Sequence, residues 1–357
     1  MTDWADSRTF SNALERAETL EKGNYFENFS DGQTIEHAPG FTLSAHANEL
    51  WMSQTLNHDP VYWRSDAARA VGYDGCPIHP DYLLASVMGP SVEDLSEKGG
   101  YFLGRDNVSL HDPAVMPGTE IRVESTVEAK RESSSRPDYG IVTWETTGFD
   151  AETDEPLLSY TRTNMIPRRE PMASDGGRES PTDSRAAAEP DDSGLPSEFI
   201  SPDGPYFEDF CDAHERTTDR DAAVAYRHER GRTMDDVMVA TLPLVTLNTA
   251  KQHHNDDYMT DSPSGEIVAY GDVTRSVALG HARSDEKTYR EIGYGNERFY
   301  DFVTVGDTIY GFTRVLGIED TGDPEAGQVT FEHYAFNQRD EPVYSGTRTA
   351  LIRRRNQ

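Results

Sequence analysis

Two long stretches of this chain carry nearly the same sequence. Residues 154–169 (DEPLLSYTRTNMIPRR) align without a gap on 340–355 (DEPVYSGTRTALIRRR), with 10 of 16 positions identical at an offset of 186. Further matches recur upstream at an offset of 191, namely His37, Gly40, Thr42 and 55–57 with His228, Gly231, Thr233 and 246–248. Landmarks that recur in one order with a nearly constant offset indicate a duplicated module. Each copy has the length of an ordinary domain, which excludes short solenoid units.

The segment between the copies has a different composition. Residues 170–205 are rich in Pro, Gly, Ser and acidic residues and poor in apolar ones. This composition predicts a disordered acidic linker. We therefore expect an N-terminal module over residues 1–169 and a C-terminal module over residues 206–357.

Each copy has the hydropathy pattern of a helix followed by alternating strands. Helices are expected over 47–56, 82–88 and 273–279. Strands are expected over 120–127, 139–149 and 157–166, and over 308–315, 328–336 and 343–352. A helix-bearing first part followed by an antiparallel meander predicts an α+β fold, in which the sheet wraps around a helix.

Acidic residues outnumber basic ones by nearly two to one. The chain has 64 Asp and Glu against 33 Lys and Arg, a formal net charge of −31, and only five of its basic residues are lysines. This composition is typical of a cytoplasmic protein that works in concentrated salt, where screening reduces the self-repulsion of the surface. An ordinary acidic protein is the alternative. In either case, nucleic acid and anionic membrane are poor partners for this surface.

The cysteines and the apolar runs narrow the class further. Cys76 and Cys211 occupy unmatched positions of the two copies, so neither a disulfide framework nor a cysteine metal site is indicated. The N-terminus is acidic, and no run approaches the roughly 18 apolar residues of a membrane span. We expect an untargeted soluble protein in the reducing cytoplasm.

Candidate chemistry is concentrated in the second copy. His253 has the side chain whose unperturbed pKa suits proton transfer near neutral pH, and Asn248 can hold a water beside it. Gly271 follows Tyr270 and opens a predicted helix, so its backbone N–H, at the positive end of the helix dipole, can stabilise an oxyanion. A purely structural role for these residues is the alternative.

These residues resemble the motifs of the MaoC-type hot-dog hydratases, the R-specific enoyl-CoA hydratases. The motif of that family reads Gly-Asp-x-Asn-Pro-hydrophobic-His and is followed by hydrophobic-Ala-His-Gly at the start of the central helix. Both copies keep the same spacing of 18 residues, from His253 to Gly271 and from Tyr62 to Pro80. The resemblance covers nearly the whole chain apart from the linker, and it implies a double hot-dog fold.

The first copy keeps the frame of the motif but has lost its details. Tyr62 stands where the family has its His, and Pro80, which has no N–H, stands where the family has its oxyanion Gly. We therefore place the working site in the second copy and expect the first copy to form the other wall. Asn57, Asp59 and His79 are retained as first-half residues that could contribute.

The second copy departs from the family at one position. Asn248 stands where the family has its catalytic Asp, and Asn cannot accept a proton. His253 is then the sole evident acid or base, and Asn248 would orient water or substrate. Asp256 and Asp59 are the carboxylates nearest in sequence to the two motifs, and either could replace the missing Asp.

Within this family the chain most resembles the haloarchaeal hydratases of mesaconyl-CoA. The similarity rests on the segment 248–253, on 254–258 (HNDDY), on 302–309 (FVTVGDTI) and on the acidic composition. It implies reversible hydration of mesaconyl-C1-CoA to β-methylmalyl-CoA in acetate assimilation through the methylaspartate cycle. It also implies an acyl-CoA substrate and no metal or redox cofactor. A homodimer of the fused chain is a further possibility.

Three further sets of residues have more than one interpretation. Lys251 and Arg275 are the cations nearest in sequence that could face the free carboxylate of a dicarboxylic acyl group, and solvated surface charges are the alternative. Arg162 and Arg348 lie in the repeated Thr-Arg-Thr strands and are expected to bridge strands or modules. The pair of histidines at 253–254 with the aspartates after it looks like a metal site, but adjacent His side chains diverge, so no metal is expected.

Three other functions stay open at this point. A general R-specific enoyl-CoA hydratase would use the same residues on a simpler acyl chain. An acyl-CoA thioesterase would need a carboxylate to activate water, and Asn248 in place of Asp argues against it. A non-catalytic acyl-binding protein is favoured by Tyr62 and Pro80 but opposed by His253 and Gly271.

Overall fold

The protein is built on one large sheet of eleven strands. The computed structural model describes residues 2–133, 136–170, 194–218 and 220–355. Its strands are β1 (Thr34–Thr42), β2 (Tyr101–Leu110), β3 (Glu120–Glu132), β4 (Tyr139–Asp150), β5 (Pro156–Pro167), β6 (Glu198–Ile200), β7 (Ala222–Thr233), β8 (Thr288–Phe299), β9 (Thr308–Glu319), β10 (Ala326–Phe336) and β11 (Pro342–Arg353). They are ordered β1-β3-β4-β5-β2-β8-β11-β10-β9-β7-β6.

Ten α-helices accompany these strands in the described ranges. They are α1 (Ser7–Leu14), α2 (Ala45–Gln54), α3 (Pro60–Trp63), α4 (Ser65–Ala70), α5 (Pro80–Met88), α6 (Ser91–Leu95), α7 (Phe207–Glu215), α8 (Asp236–Leu244), α9 (Asp256–Met259) and α10 (Gly271–Ser284). Short 3₁₀ turns cover Phe26–Asn28 and Lys251–His253. The predicted helices and strands are confirmed, with ends that differ by a few residues.

The two halves of the sheet repeat one topology and meet in the middle. The first half is β1-β3-β4-β5-β2, and the second begins with β8-β11-β10-β9-β7 in the mirrored order. They join through antiparallel pairing of β2 with β8, where Val108 faces Tyr294 and Ser109 faces Gly293. The α+β fold class predicted from the sequence is therefore confirmed.

Helices α5 and α10 are the central helices of the two halves. Every residue of α5 is buried, and so are residues 272–283 of the 14-residue α10. A helix that is buried on all sides must lie inside the fold rather than on its surface. Both helices begin at the positions that the motif spacing marks, α5 at Pro80 and α10 at Gly271.

The central helices make reciprocal contacts across the boundary between the halves. A Cβ atom added to Gly89, just after α5, would lie 1.6 Å from the carbonyl oxygen of Thr246. One added to Gly280 in α10 would lie 2.0 Å from the carbonyl oxygen of Thr55. The two contacts are copies of each other at the same sequence offset. This is the geometry of a two-fold dimer interface, here formed within one chain.

A hydrogen bond between a buried histidine and a partly exposed aspartate also occurs once in each half. The Nδ1 atom of His37 lies 2.7 Å from Oδ2 of Asp94, and Nδ1 of His228 lies 2.7 Å from Oδ2 of Asp285. In each copy the pair fastens the first long strand to the segment after the central helix. The duplicated sequence therefore folds into duplicated tertiary contacts.

The largest hydrophobic cluster of the described residues includes side chains from both halves. It contains residues of α5, such as Leu83 and Val87, and residues of α10, such as Val277 and Leu279. The buried Trp51 donates its indole N–H to Oγ of Ser276 at 3.1 Å across the boundary. No described helix is both long and apolar enough to cross a membrane.

The predicted linker is wrong at its C-terminal end. Residues 171–193 lie outside the described part of the chain, but Glu198–Ile200 forms β6 and pairs in parallel with β7. Ile200 is buried against Ala213 and Val224. Two apolar residues in a polar context are enough to add a short edge strand, and an average over the whole segment conceals them.

Candidate active site

A tight turn sets the position of Asn248. Leu247, just before it, has a φ of 60°, a left-handed conformation that is rare for a branched residue. The buried Asn248 side chain accepts a hydrogen bond from the backbone N–H of Ala250 through Oδ1 at 3.1 Å. Asn248 thereby holds the loop that leads into the 3₁₀ turn of His253. The first half repeats this turn, with a φ of 62° at Leu56 before Asn57.

His253 is buried, and a backbone carbonyl fixes its protonation. Its Nδ1 lies 2.8 Å from the carbonyl oxygen of Val268, which can only accept, so Nδ1 carries the proton. The Nε2 atom is left with a lone pair, 3.4 Å from the side-chain amide nitrogen of Gln252. The Tyr270 ring lies 5.5 Å away, centroid to centroid. His253 is therefore held as a neutral imidazole with its basic nitrogen defined.

Burial lowers the pKa of His253 to about 4, and the hydrogen bond to Val268 opposes this effect only in part. A neutral imidazole at ordinary pH can accept a proton without first losing one. Val268 and Gln252 are functional neighbours that the sequence motif does not mark.

Gly271 is the first residue of α10, with Tyr270 as its N-cap. The first amides of a helix have no acceptor within the helix, and they lie at the positive end of its dipole. A Cβ atom at Gly271 would lie 3.0 Å from the ring of Phe299, so only glycine fits here without displacing that ring. His253, Tyr270 and the start of α10 thus form one group in the second half, as the spacing predicted.

The first half closes over this group. Thr249, next to Asn248, donates its hydroxyl to Oε2 of Glu97 at 2.9 Å. The contact of Gly89 with Thr246 lies three residues earlier on the same loop. The loop that carries Asn248 is therefore held between the two halves.

Two other candidates lie away from His253. Lys251 is exposed, and its Nζ lies 5.1 Å from the ring centroid of Tyr258. Asp256 is exposed at the start of α9. Lys251 therefore lies at the surface, as its alternative interpretation as a solvated charge expected. Asp256 is not part of the buried group around His253.

The structure corrects the reading of Arg275. Its side chain is fully buried, with Nε bonded to Glu297 and Nη1 lying 2.5 Å from Oδ1 of Asp81. Arg275 is therefore not a solvated charge. Its charge is already balanced by two carboxylates, so it is not free to bind the carboxylate of an acyl group.

Arg275 belongs to a buried chain of alternating charges that crosses both halves. The chain runs through Asp272, Arg105, Glu297, Arg275, Asp81, Arg283, Glu291, Arg348 and Glu286. It joins Asp272 in the first turn of α10 to Asp81 in the first turn of α5. Paired and hydrogen-bonded charges of this kind are costly to break, because each leaves a buried partner unpaired.

The retained residues of the first half form a separate buried cluster. The rings of Tyr62 and His79 lie 4.5 Å apart, centroid to centroid. Nη1 of Arg283 donates to Oδ1 of Asn57 at 2.6 Å, and Nε of Arg283 lies 3.9 Å from Oδ2 of Asp59. The structure thus brings Asn57, Asp59 and His79 to each other and not to His253.

In this first-half cluster, burial disfavours the charged forms of Asp59 and His79. Burial raises the pKa of Asp59 to about 7, against the opposing effect of Arg283. Burial also lowers the pKa of His79 to about 3. His79 Nδ1 accepts from the N–H of Asp81 at 3.1 Å and so caps α5, which begins with Pro80 and lacks the N–H that Gly271 offers.

The comparison with known families agrees with this geometry. The sequence profile of the family described as mesaconyl-CoA hydratase matches residues 3–354. This chain belongs to the mesaconyl-CoA hydratase family. A member of that family from Haloarcula marismortui, named mesaconyl-CoA hydratase, is 63% identical over 365 residues, and the match covers 99% of each chain. The family resemblance predicted from the motifs is confirmed.

Two solved structures share the fold of this mesaconyl-CoA hydratase family member. A MaoC-domain dehydratase from Chloroflexus aurantiacus has a TM-score of 0.78 and 21% identity, with 95% of this chain and 100% of the other covered. A Mycobacterium tuberculosis protein described as having a double hot-dog fold has a TM-score of 0.72 and 22% identity, with coverage of 92% and 98%. At these identities they show the fold alone, and they confirm the double hot-dog prediction.

Proposed function

We propose that this protein catalyses the reversible hydration of mesaconyl-C1-CoA to β-methylmalyl-CoA, and that the residues around His253 perform it. The observation that carries this assignment is the buried imidazole, whose Nδ1–H is fixed by Val268 and whose ring lies 5.5 Å, centroid to centroid, from that of Tyr270, the N-cap of α10. The 63% identity to a relative named mesaconyl-CoA hydratase supports the choice of substrate.

The chemistry follows from two groups. The thioester carbonyl oxygen accepts a hydrogen bond from the N–H of Gly271, which draws electron density away from the conjugated double bond. Nε2 of His253 takes a proton from a water whose oxygen adds to the β-carbon. The imidazolium then returns that proton to the α-carbon, so one water is consumed and the histidine is regenerated.

Asn248 has a supporting role in this mechanism. Its Oδ1 is already bonded to the N–H of Ala250, so it maintains the loop before His253. Proton transfer through one imidazole and one amide donor requires neither a metal nor a redox cofactor. We further propose that the reaction belongs to acetate assimilation through the methylaspartate cycle and takes place in the cytoplasm, since the net charge of −31 suits a salt-rich interior.

A spectroscopic assay tests the proposal. The purified protein in molar KCl is mixed with mesaconyl-CoA, and the absorbance of the conjugated thioester is followed together with the release of free CoA. We expect the absorbance to fall to an equilibrium value with no free CoA. Release of CoA would identify a thioesterase, and turnover of crotonyl-CoA without turnover of mesaconyl-CoA would identify a general hydratase.

A further inference from the structure

Arg162 is a buried arginine that pairs with no carboxylate in the part of the chain that the structure describes. Its side chain has no exposed surface, and its hydrogen-bond partners in the described residues are two hydroxyls, Oγ of Ser91 and Oγ of Ser96, each at 3.2 Å. Its guanidinium also lies 5.5 Å from the ring centroid of Trp144. Its Nε atom has no partner there. A buried guanidinium that lacks a carboxylate is costly to a fold, so it calls for an explanation. Of the two roles expected for Arg162, bridging strands is wrong, because these serines lie in and just after α6.

The second copy shows what the first has lost. Arg348, the repeat of Arg162, is bonded to both Glu286 and Glu291, and through Glu291 on β8 it bridges strands as predicted. The offset that relates Asp94 to Asp285 places Leu95 where the second copy has Glu286.

Strand register identifies the second loss. In the first half-sheet Arg162 pairs with Arg105, and in the second its repeat Arg348 pairs with Tyr294. Two residues further along each arginine strand, the partner is Phe102 in the first half and Glu291 in the second. Phe102 therefore stands where the second copy has Glu291. The first copy has kept its arginine and replaced both carboxylates with apolar residues. Its cross-strand neighbour Arg105 is already paired with Asp272 and Glu297, so neither of these carboxylates compensates Arg162.

Two buried hydroxyls beside Arg162 also lack partners. The side-chain oxygens of Tyr160 and Tyr270 have no hydrogen bond in the described residues. Burial lowers the pKa of Arg162, and the side chains of Tyr160 and Tyr270 lie close enough to oppose that effect. A guanidinium N–H and two phenol hydroxyls are donors that suit a carboxylate.

These donors adjoin the residues assigned to catalysis. Tyr270 caps α10 immediately before Gly271, and its ring lies 5.5 Å from that of His253. On the other side, Ser96 precedes Glu97, which accepts the hydroxyl of Thr249 beside Asn248. The arginine of the first half is therefore next to the site of the second half.

We propose that Arg162, together with the hydroxyls of Tyr160 and Tyr270, binds the free carboxylate of the substrate's acyl group. The inference rests on the proposed function, which supplies a substrate with such a carboxylate. In this proposal the substrate carboxylate pairs with Arg162 as Glu286 and Glu291 pair with Arg348 in the second copy. It also makes Arg162 the residue that selects carboxylated over neutral enoyl groups.

Both Arg162 and His253 are buried in the structure. An acyl group therefore reaches them only when neighbouring side chains move aside. Phe102 and Phe299 lie at the boundary of the halves, partly exposed, with ring centroids 5.2 Å apart. Phe299 also lies against Gly271. These two rings are the side chains that a bound acyl group would displace first.

The test compares two substrates that differ only at the carboxylate. Tigloyl-CoA has the carbon skeleton of mesaconyl-C1-CoA with a methyl group in place of the free carboxylate. We expect Arg162→Gln to lower the ratio of kcat/KM for mesaconyl-CoA to that for tigloyl-CoA by about 100-fold, as for other truncated buried charge pairs. Tyr160→Phe should lower it by about 10-fold. Arg122→Gln, at a partly exposed arginine on β3 of the same half, is the control and should leave the ratio unchanged.

Binding separates this inference from the proposed function. Calorimetry with methylsuccinyl-CoA and 2-methylbutyryl-CoA, the saturated and unreactive counterparts, measures the same preference without turnover. If the wild-type protein hydrates neither enoyl-CoA, the proposed function fails. The binding preference for methylsuccinyl-CoA over 2-methylbutyryl-CoA then still tests whether Arg162 binds the carboxylate.

An equal loss for both ligands in Arg162→Gln would show a structural role and overturn the inference. An unchanged ratio would do the same. If Arg162→Gln does not fold, Tyr160→Phe, which keeps the size of the ring, decides by the same ratio.

Discussion

At the residue scale, the backbone carbonyl of Val268 decides which nitrogen of His253 is available as a base. The carbonyl accepts the Nδ1–H at 2.8 Å and leaves Nε2, which lies 3.4 Å from the side-chain amide nitrogen of Gln252, with the lone pair. The motif marks the histidine, but a carbonyl acceptor has no signature in the sequence, since every residue carries one. The residue proposed as the base could therefore be named from the sequence, while its tautomer required the fold.

Activity should persist at a lower pH than an ordinary histidine allows. Burial lowers the pKa of His253 to about 4, so the imidazole stays neutral well below the usual value of about 6.5. We expect kcat/KM for mesaconyl-CoA to be constant between about pH 6 and 5 and to fall only as the pH approaches 4. An acid limb centred near pH 6.5 would show that His253 is solvated in the free enzyme.

Asp59 should make folding depend on pH. Burial raises its pKa in the folded protein to about 7, above the unfolded value of about 3.9. Its contribution to stability is therefore fully present below about pH 4 and is lost as the pH rises through 7. The amide of Asp59→Asn does not ionise, so the variant should gain stability over the wild type between pH 4 and 8, by up to about 4 kcal/mol. Denaturant unfolding at several pH values measures this, and a pH-independent difference would contradict it.

At the scale of secondary-structure elements, the starts of the two central helices differ in what they can donate. The hydropathy pattern predicted helices over 82–88 and 273–279, and the family motif marked Pro80 and Gly271 as the matching positions at their starts, where proline and glycine change the backbone locally. The edge strand β6 was not predictable, since its two apolar residues lie in a segment whose average composition is that of a linker. What such a short strand forms depends on the neighbouring β7, which only the tertiary fold supplies.

The packing of the central helices should be intolerant of even one added carbon. A Cβ atom on Gly280 would lie 2.0 Å from the backbone oxygen of Thr55, so Gly280→Ala must separate the halves locally. We expect it to lower the free energy of unfolding by about 3 kcal/mol, the cost of an overpacked core. Gly317→Ala on β9, where nothing lies within 4 Å, is the matched control and should change stability by less than about 0.5 kcal/mol. Equal effects of the two substitutions would contradict the packing argument.

At the scale of the whole molecule, the duplicated sequence produces a dimer-like interface whose two sides have become different. The repeat itself predicted the two matched half-sheets and the place of each motif. It did not predict the buried chain of charges, because residues such as Arg275 and Asp81 are far apart in sequence and meet only across the boundary of the halves. The difference between Arg162 and Arg348 likewise needs the strand register, which identifies the positions that lost their carboxylates.

Salt should stabilise the whole molecule. A net charge of −31 repels itself in the compact state, and this repulsion is screened as the Debye length falls from about 10 Å at 0.1 M to about 3 Å at 1 M salt. We expect Tm to rise steadily with KCl up to the molar range. A Tm that is unchanged across this range would mean that the acidic surface is not an adaptation to concentrated salt.

The central claim is that the two copies are unequal and that the second performs the chemistry. Its most direct test is kcat/KM for mesaconyl-CoA hydration in His253→Ala and Tyr62→Phe, the two variants at the matched motif position. We expect a loss of about 1,000-fold for His253→Ala, the usual effect of removing a general acid or base, and little change for Tyr62→Phe. The opposite ranking, with Tyr62→Phe inactive and His253→Ala active, would contradict it and place the working site in the first half.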